Sequence, residues 1–367
     1  MSRWAPPHNI LTLAGLRPQC RHLPRPSCRR RSLTTSRSHR RDSDPRIRHL
    51  GRRIADEYAT IRENYGLRPH GMLTNASSET ARLTTAATPK YPIVLAHGLF
   101  GFSELSLSAA LPPLQYWHGI KQALTAQGCS RVMTASVPPS DAIEARAAKL
   151  AADIAADTSA SDPSPSPGRP PTPVNIIAHS MGGLDARYMI SHLLRATPNV
   201  RIASLTTIST PHRGSTFADY LLEEGAGPIY LPRLYGVLQR AGLGTKAFAQ
   251  LTTRYLADEF NPRTEDDPSV RYFSYGAAMN EPPLLSPFRL SHRVIEEAEG
   301  PNDGLVSVDS SRWGTYEGTL LGVSHLDLIN WPNRVRWTVR EWMGMKRTFN
   351  AIAFYLGITD MLAKEGL

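Results

Sequence analysis

Residues 176–184 read "IIAHSMGGL", and how Ser180 is read within them decides the fold. A short β-branched run, "VNIIA" (174–178), delivers a histidine, a serine and a methionine, and two glycines follow at once. Ala178 and Gly182 are the second neighbours of Ser180. Side chains this small at both places allow a sharp turn from strand to helix, with the hydroxyl held proud of the backbone. Ala178 replaces the first glycine of the usual G-x-S-x-G, a departure of one methyl group. A small-x-Ser-x-Gly string is common by chance, so its surroundings have to decide.

Working outward, strands alternate with helices. "YPIVLAHGLFGF" (91–102) gives a buried strand over 93–96 that ends in a glycine-punctuated loop, and "YWHGIKQALTAQGC" (116–129) follows as a helix stopped at Gly128. "RVMTASV" (131–137) is the next strand. Residues 140–157 put Ile143, Ala147, Leu150 and Ile154 at helical spacing behind a Ser or Asp cap. After the Ser180 turn come a helix through "GLDARYMISHLLRA", a strand in "RIASLTTIST" (201–210) and another in "VRYFSYGA" (270–277). This rhythm predicts an α/β fold with a mostly parallel sheet flanked by helices. The Pro/Ser-rich stretch 158–173 reads as a surface loop.

From 214 to about 260 the alternation lapses. "PIYLPRLYGVLQRAGLG" (228–244) lines Leu231, Leu234, Tyr235 and Leu238 along one face and closes on Gly242 and Gly244. Two readings stay open, an ordinary core helix or a helical lid over an apolar site.

Charge is unevenly spread. Residues 1–41 hold ten arginines, no lysine and no acidic residue, whereas the remaining 326 carry 32 basic and 32 acidic side chains. The net +10 therefore belongs to the N-terminus, which removes the support for a nucleic-acid-binding body. An Arg-, Ser- and Pro-rich segment without acids fits a mitochondrial transit peptide over 1–45, removed near "RRRSLTTS". Residues 46–90 read as a helix and linker, and 91–367 as the catalytic domain. Only Cys129 lies in the body, so no intramolecular disulfide is expected there. No apolar run is long enough to span a membrane.

A serine hydroxyl needs a base to take its proton, an acid to fix that base, and donors for the oxyanion. In the α/β-hydrolase order the acid and histidine follow the serine. Four histidines do so: His192, His212, His292 and His325. His192 reads as an ordinary helix residue. His212 is on a loop but precedes the acid, and His292 lies in polar surroundings. His325, in "GVSHLDLIN", is a late loop histidine where the base of this fold belongs. Asp303, in "GPNDGLVSV", is the candidate acid at a glycine-flanked turn beside an apolar strand, with Asp309 as runner-up. The backbone N–H groups of Met181 and Leu99 are the candidate oxyanion donors.

The pieces "VLAHGLFGF", "YWHGI", "VNIIAHSMGG", "ISTPHRGSTFADYL", "NDGLVSVDSS" and "SHLDLIN" occur in order across 93–330. Together they resemble the bacterial triacylglycerol lipases of the Pseudomonas and Burkholderia type and, with the arginine-rich leader, the mitochondrial triacylglycerol lipases of fungi. The resemblance implies an α/β-hydrolase fold and hydrolysis of acylglycerol esters at a lipid or membrane surface. It assigns the nucleophile to Ser180, the acid to Asp303 and the base to His325. A phospholipase, lysophospholipase or acyltransferase would use the same triad, and a non-catalytic lipid-binding protein is the alternative from another class. Bacterial relatives also hold calcium through an aspartate two places after the histidine and a glutamine further on. Asp327 matches the first, Trp331 stands in place of the second, and residues 281–300 offer no clear further aspartate. No metal or other cofactor is expected.

Overall fold

The computed structural model describes residues 88–99, 116–117, 119–161, 171–222, 246–284, 286–330 and 349–367. The arginine-rich leader, the 46–87 segment and the Leu231–Leu238 stripe lie outside them. Among the described residues six strands form one sheet: β1 (Ile93–Ala96), β2 (Val132–Thr134), β3 (Val174–His179), β4 (Ile202–Ile208), β5 (Arg271–Ala278) and β6 (Thr315–Leu321). The order is β2-β1-β3-β4-β5-β6 and every pairing is parallel.

Parallel strands covered on both faces need near-continuous apolar sequence. "IVLA" and "VNIIAH" supply it, and both strands are buried throughout. Alternation then sorts the side chains. Ile93, Leu95 and Ile177 face a layer that holds Ile120, Leu124, Tyr355 and Leu362, while Val94, Ala96, Ile176 and Ala178 face Ala147, Leu150 and Ile154. The first layer is built from α1 (Ile120–Gln127) and a late helix, the second from α2 (Ile143–Ser161) and α3 (Gly182–Tyr188). Three further helices are α4 (Thr216–Leu222), α5 (Arg289–Ala298) and the late helix α6 (Ala351–Lys364).

Local signals account for several boundaries. Gly128, with φ of 102°, ends α1 in the left-handed conformation that glycine adopts without strain. Asn350 caps α6 by accepting from Ala353 N–H. The helix α2 runs to Ser161, into the stretch expected to be loop, because Ala, Ser and Thr can continue a helix.

One expectation is overturned. "LVSV" beside Asp303 is not a strand. The segment is a turn closed by a single bridge between Asn302 and Ser307. Side chains satisfy its backbone: Asn302 Oδ1 accepts from Gly304 N–H, and Asp303 Oδ1 accepts from Leu305 and Val306 N–H. The sheet's last strand is instead "TYEGTLL".

The topology places the site. From β1 the chain turns to β2 on one side, whereas from β3 it turns to β4 on the other. The two loops leave in opposite directions and open a crevice at the carboxyl ends, the switch point at which open α/β sheets bind ligands. Leu99 follows β1 there and Ser180 follows β3.

Candidate active site

Ser180 has φ of 56°, one of three described residues other than glycine in the left-handed region. The turn is strained and is held from several sides. Ser180 N–H donates to Ile208 O at 3.0 Å, and Thr210 Oγ1 donates to Ser180 O at 2.8 Å. The small residues around it are required. A Cβ on Gly98 would lie 2.6 Å from Ser180 Cβ, and one on Gly182 would lie 2.7 Å from the carbonyl oxygens of Ala96 and His97. Ala178, by contrast, points into the sheet's packed face, where a methyl group fits.

His325 and Asp303 meet as expected. His325 Nδ1 donates to Asp303 Oδ2 at 2.7 Å, with both residues buried. His325 N–H also donates to Asp303 O at 2.9 Å, so the two loops are tied by main chain as well as side chain. The other Asp303 oxygen takes the Leu305 and Val306 N–H groups at 3.0 and 2.9 Å. The carboxylate is thus fully engaged where an unpaired buried charge would be costly.

The alternatives are elsewhere. His212 is stacked on Trp313 and bonded to Thr207 Oγ1 at 3.0 Å, with Arg187 beside it. Burial and the Arg187 and Arg213 charges hold it well below the usual histidine pKa. His292 pairs with Glu296. Asp309 is largely exposed and faces Arg312. The bond to Asp303 is made by His325.

The loop after β1 is shaped by a buried arginine that the motif reading missed. Arg146, on α2, forms an ion pair with Asp185 of α3 at 2.7 Å, and both side chains are buried. Its Nη2 also donates to His97 O at 2.9 Å and Gly98 O at 3.2 Å, and Nη1 donates to Pro138 O at 2.5 Å. Because a trans peptide directs C=O and N–H oppositely, drawing these two carbonyls inward turns the following N–H groups outward. Gly98 N–H then meets Tyr116 Oη at 3.0 Å. The signal was present in sequence: Arg146 sits three residues after Ile143 and four before Leu150, on the apolar face of α2.

Asp327 braces the loop of the candidate base. Its Oδ2 accepts from Ser324 N–H at 3.0 Å and Ser324 Oγ at 2.6 Å, closing the turn that carries His325. No cluster of three or more His, Cys, Asp or Glu suited to a metal occurs among the described residues. Position 331 lies outside the described residues.

Residues 92–225 match the family described as "Putative serine esterase (DUF676)". The chain is 36% identical over 324 residues to "Triacylglycerol lipase 2" of Saccharomyces cerevisiae, covering 76% of this chain and 93% of that relative. It is 33% identical over 321 residues to "Triacylglycerol lipase" of Burkholderia plantarii, covering 71% and 84%. Among solved structures, Staphylococcus hyicus lipase superposes with a TM-score of 0.55 at 20% identity, covering 76% of this chain and 97% of that one. A metagenomic carboxyl esterase superposes at 0.58 and 16% identity, covering 86% and 92%. These likenesses establish the α/β-hydrolase fold.

Proposed function

The chain belongs to the triacylglycerol lipase family, and from that premise we propose that it hydrolyses acylglycerol esters through an acyl-enzyme on Ser180. His325 Nε2 takes the hydroxyl proton as Ser180 Oγ attacks the ester carbonyl carbon. The negative oxygen that forms is met by Leu99 and Met181 N–H. His325 then gives its proton to the departing glycerol oxygen, and a water repeats the cycle to release the fatty acid. Asp303 holds the Nδ1 proton, which fixes the imidazole tautomer and supports the imidazolium.

The observation that carries this reading is the 2.7 Å bond between His325 and Asp303 at the sheet edge from which the strained Ser180 turn projects. Its test is a comparison of the products that wild type and Ser180→Ala release from mixed lipids. Fatty acid and diacylglycerol should appear with wild type alone.

The same proposal extends to place and access. No helix among the described residues is long and apolar enough to cross a membrane. We propose peripheral association with a lipid surface in mitochondria, supported by the ten arginines and absent acids of residues 1–41. A reporter fused to residues 1–45 should enter mitochondria, and a diffuse reporter would refute it.

The 214–260 insert is proposed as a lid. Its ends are pinned together: Ser215 N–H donates to Leu251 O, and Asp219 accepts from Thr253 N–H at 2.9 Å and Oγ1 at 2.7 Å. The apolar stripe between them would cover an apolar site in water and exchange it for lipid. Leu234→Ser with Leu238→Ser should lower activity on emulsified long-chain triacylglycerol far more than on a soluble ester. Equal losses would leave a core helix.

A further inference from the structure

Tyr116 and His179 are not among the residues given roles above, yet they lie directly behind the reacting groups. His179 ends β3 and immediately precedes Ser180. Its Nδ1 lies 2.7 Å from Tyr116 Oη, and the same phenol oxygen accepts Gly98 N–H at 3.0 Å. Its ring lies against that of His325, with centroids 4.5 Å apart and planes 46° apart. Both side chains are buried.

Of the two proton placements open to the Tyr116–His179 bond, the one adopted has the phenol donating to Nδ1. Gly98 N–H can only donate, so Tyr116 Oη accepts from it. The phenol has one proton of its own, and His179 Nδ1 is the acceptor within reach. Burial drives the Tyr116 pKa up, so the hydroxyl keeps that proton. Burial drives the His179 pKa well down, the charge on His325 lowers it further, and the His325 main chain offsets this in part. An imidazole that is neutral and accepts at Nδ1 carries its proton on Nε2.

We propose that Tyr116 is a positioning residue for ester hydrolysis. Its hydroxyl withdraws Gly98 N–H from the oxyanion site, leaving Leu99 N–H as the donor on that side. The same hydroxyl pins His179 as the neutral Nε2–H tautomer against the ring that becomes imidazolium during the reaction. The inference rests on the catalytic reading of Ser180 and His325.

Two consequences follow from the geometry. A second positive ring 4.5 Å from His325 would oppose the protonation that catalysis requires, and the phenol O–H bond favours the form without that charge. A released Gly98 N–H would leave the His97–Gly98 peptide held only on its carbonyl side by Arg146. The ring of Tyr116 is edge-packed on Trp117 at 5.1 Å, so removing the hydroxyl alone leaves the packing in place.

The test is Tyr116→Phe in the full-length protein, assayed on a soluble short-chain ester. We expect kcat to fall about tenfold, the worth of one hydrogen bond, with KM within about twofold. Affinity for an alkylboronic acid, which mimics the tetrahedral anion, should fall by the same factor. A purely structural role would instead lower thermal stability and active fraction without weakening the boronate. Unchanged kcat and boronate affinity would overturn the proposal.

A second measurement needs no variant. Imidazole 15N shifts of the wild-type protein should show His179 as the neutral Nε2–H tautomer at pH 7. An Nδ1–H or charged His179 overturns the proposal whatever the Phe variant does. Full hydrolysis by Ser180→Ala would instead overturn the catalytic reading and leave the tautomer result standing.

Discussion

Two buried aspartates face cationic or basic partners at the same edge of the sheet, and each pair spans 2.7 Å: Asp303 with His325, and Asp185 with Arg146. Their surroundings differ in two respects. Both Asp303 oxygens are engaged, one by the imidazole and one by two backbone N–H groups. Asp185 Oδ1 has no partner among the described residues, and burial pushes its pKa up to about 6 against the opposing pull of Arg146. The partners differ as well. The Arg146 guanidinium donates to the His97 and Gly98 carbonyls and so holds the shape of the loop. In the proposed reaction the His325 pair carries a proton from Ser180 to the leaving group. One pair holds the loop after β1, and the other is the pair proposed to move a proton.

The sharpest way to break this division is by activity. Ser180→Ala, His325→Ala and Asp303→Asn should each lower kcat by about 10⁴-fold or more, and double variants should add little, because the three act as a unit. Steady-state rates on a soluble ester are the measure. If Asp303→Asn keeps more than a tenth of the activity, the acid is not Asp303.

Arg146 should fail differently. Arg146→Met leaves a buried carboxylate unpaired, at a cost of about 3–5 kcal/mol in stability. Adding Asp185→Leu should recover most of that loss in urea melts, since an apolar pair of similar volume needs no counter-charge. The double variant should stay poorly active, because the His97 and Gly98 carbonyls lose the group that orients them. Recovery of activity together with stability would show that the clamp is unrelated to catalysis.

Acid stability gives a smaller effect that tests burial itself. Burial, the largest cause, lowers His97 from 6.5 to about 4. The folded state therefore binds fewer protons than the unfolded one between these values. The stability this contributes is present above pH 6.5 and is lost as pH falls through 4, about 2–3 kcal/mol by pH 4.5. Asp185 runs the other way: with a folded pKa of about 6 above the ordinary carboxylate value, it favours the folded state as pH falls below 6. The wild-type curve mixes the two signs. His97→Gln should remove the His97 part alone, and urea melts at pH 7 and 4.5 would detect a difference. An unchanged pH slope in that variant would mean that His97 titrates normally.

Chelation should have the least effect. Asp327 Oδ2 is held by Ser324 N–H and hydroxyl, which close the His325 turn without an ion. Melting temperature should be the same with and without EDTA. A drop restored by calcium would reveal ligands beyond Asp327.

The Ser180 turn and the candidate acid and base could be picked out of the sequence because such chemistry demands particular residue types at short range. A strained strand–turn–helix needs small neighbours at Ala178 and Gly182, and the histidine and aspartate of this fold sit in late loops with their own glycine and polar signatures. The packed face of α2 was equally legible, since Ile143, Ala147, Leu150 and Ile154 repeat at helical spacing and all prove buried. The strand expected from "LVSV" was not there. Alternating apolar residues satisfy a strand pattern, but Asn302 and Asp303 side chains claim the backbone N–H groups first.

Local sequence by itself determined most of the elements and pointed to the candidate nucleophile, acid and base, because periodicity and turn chemistry act over a few residues. Only the tertiary structure decided which long-range partners the buried polar groups found. Arg146 reaches Asp185 across 39 positions and Tyr116 reaches His179 across 63, and neither spacing carries a pattern. Each partnership arises because β1 and β3 lie side by side at the switch point, which brings the loops and helices that follow them together. In that buried space an unmet donor or charge is costly, so the polar groups that meet there fix one another's orientation.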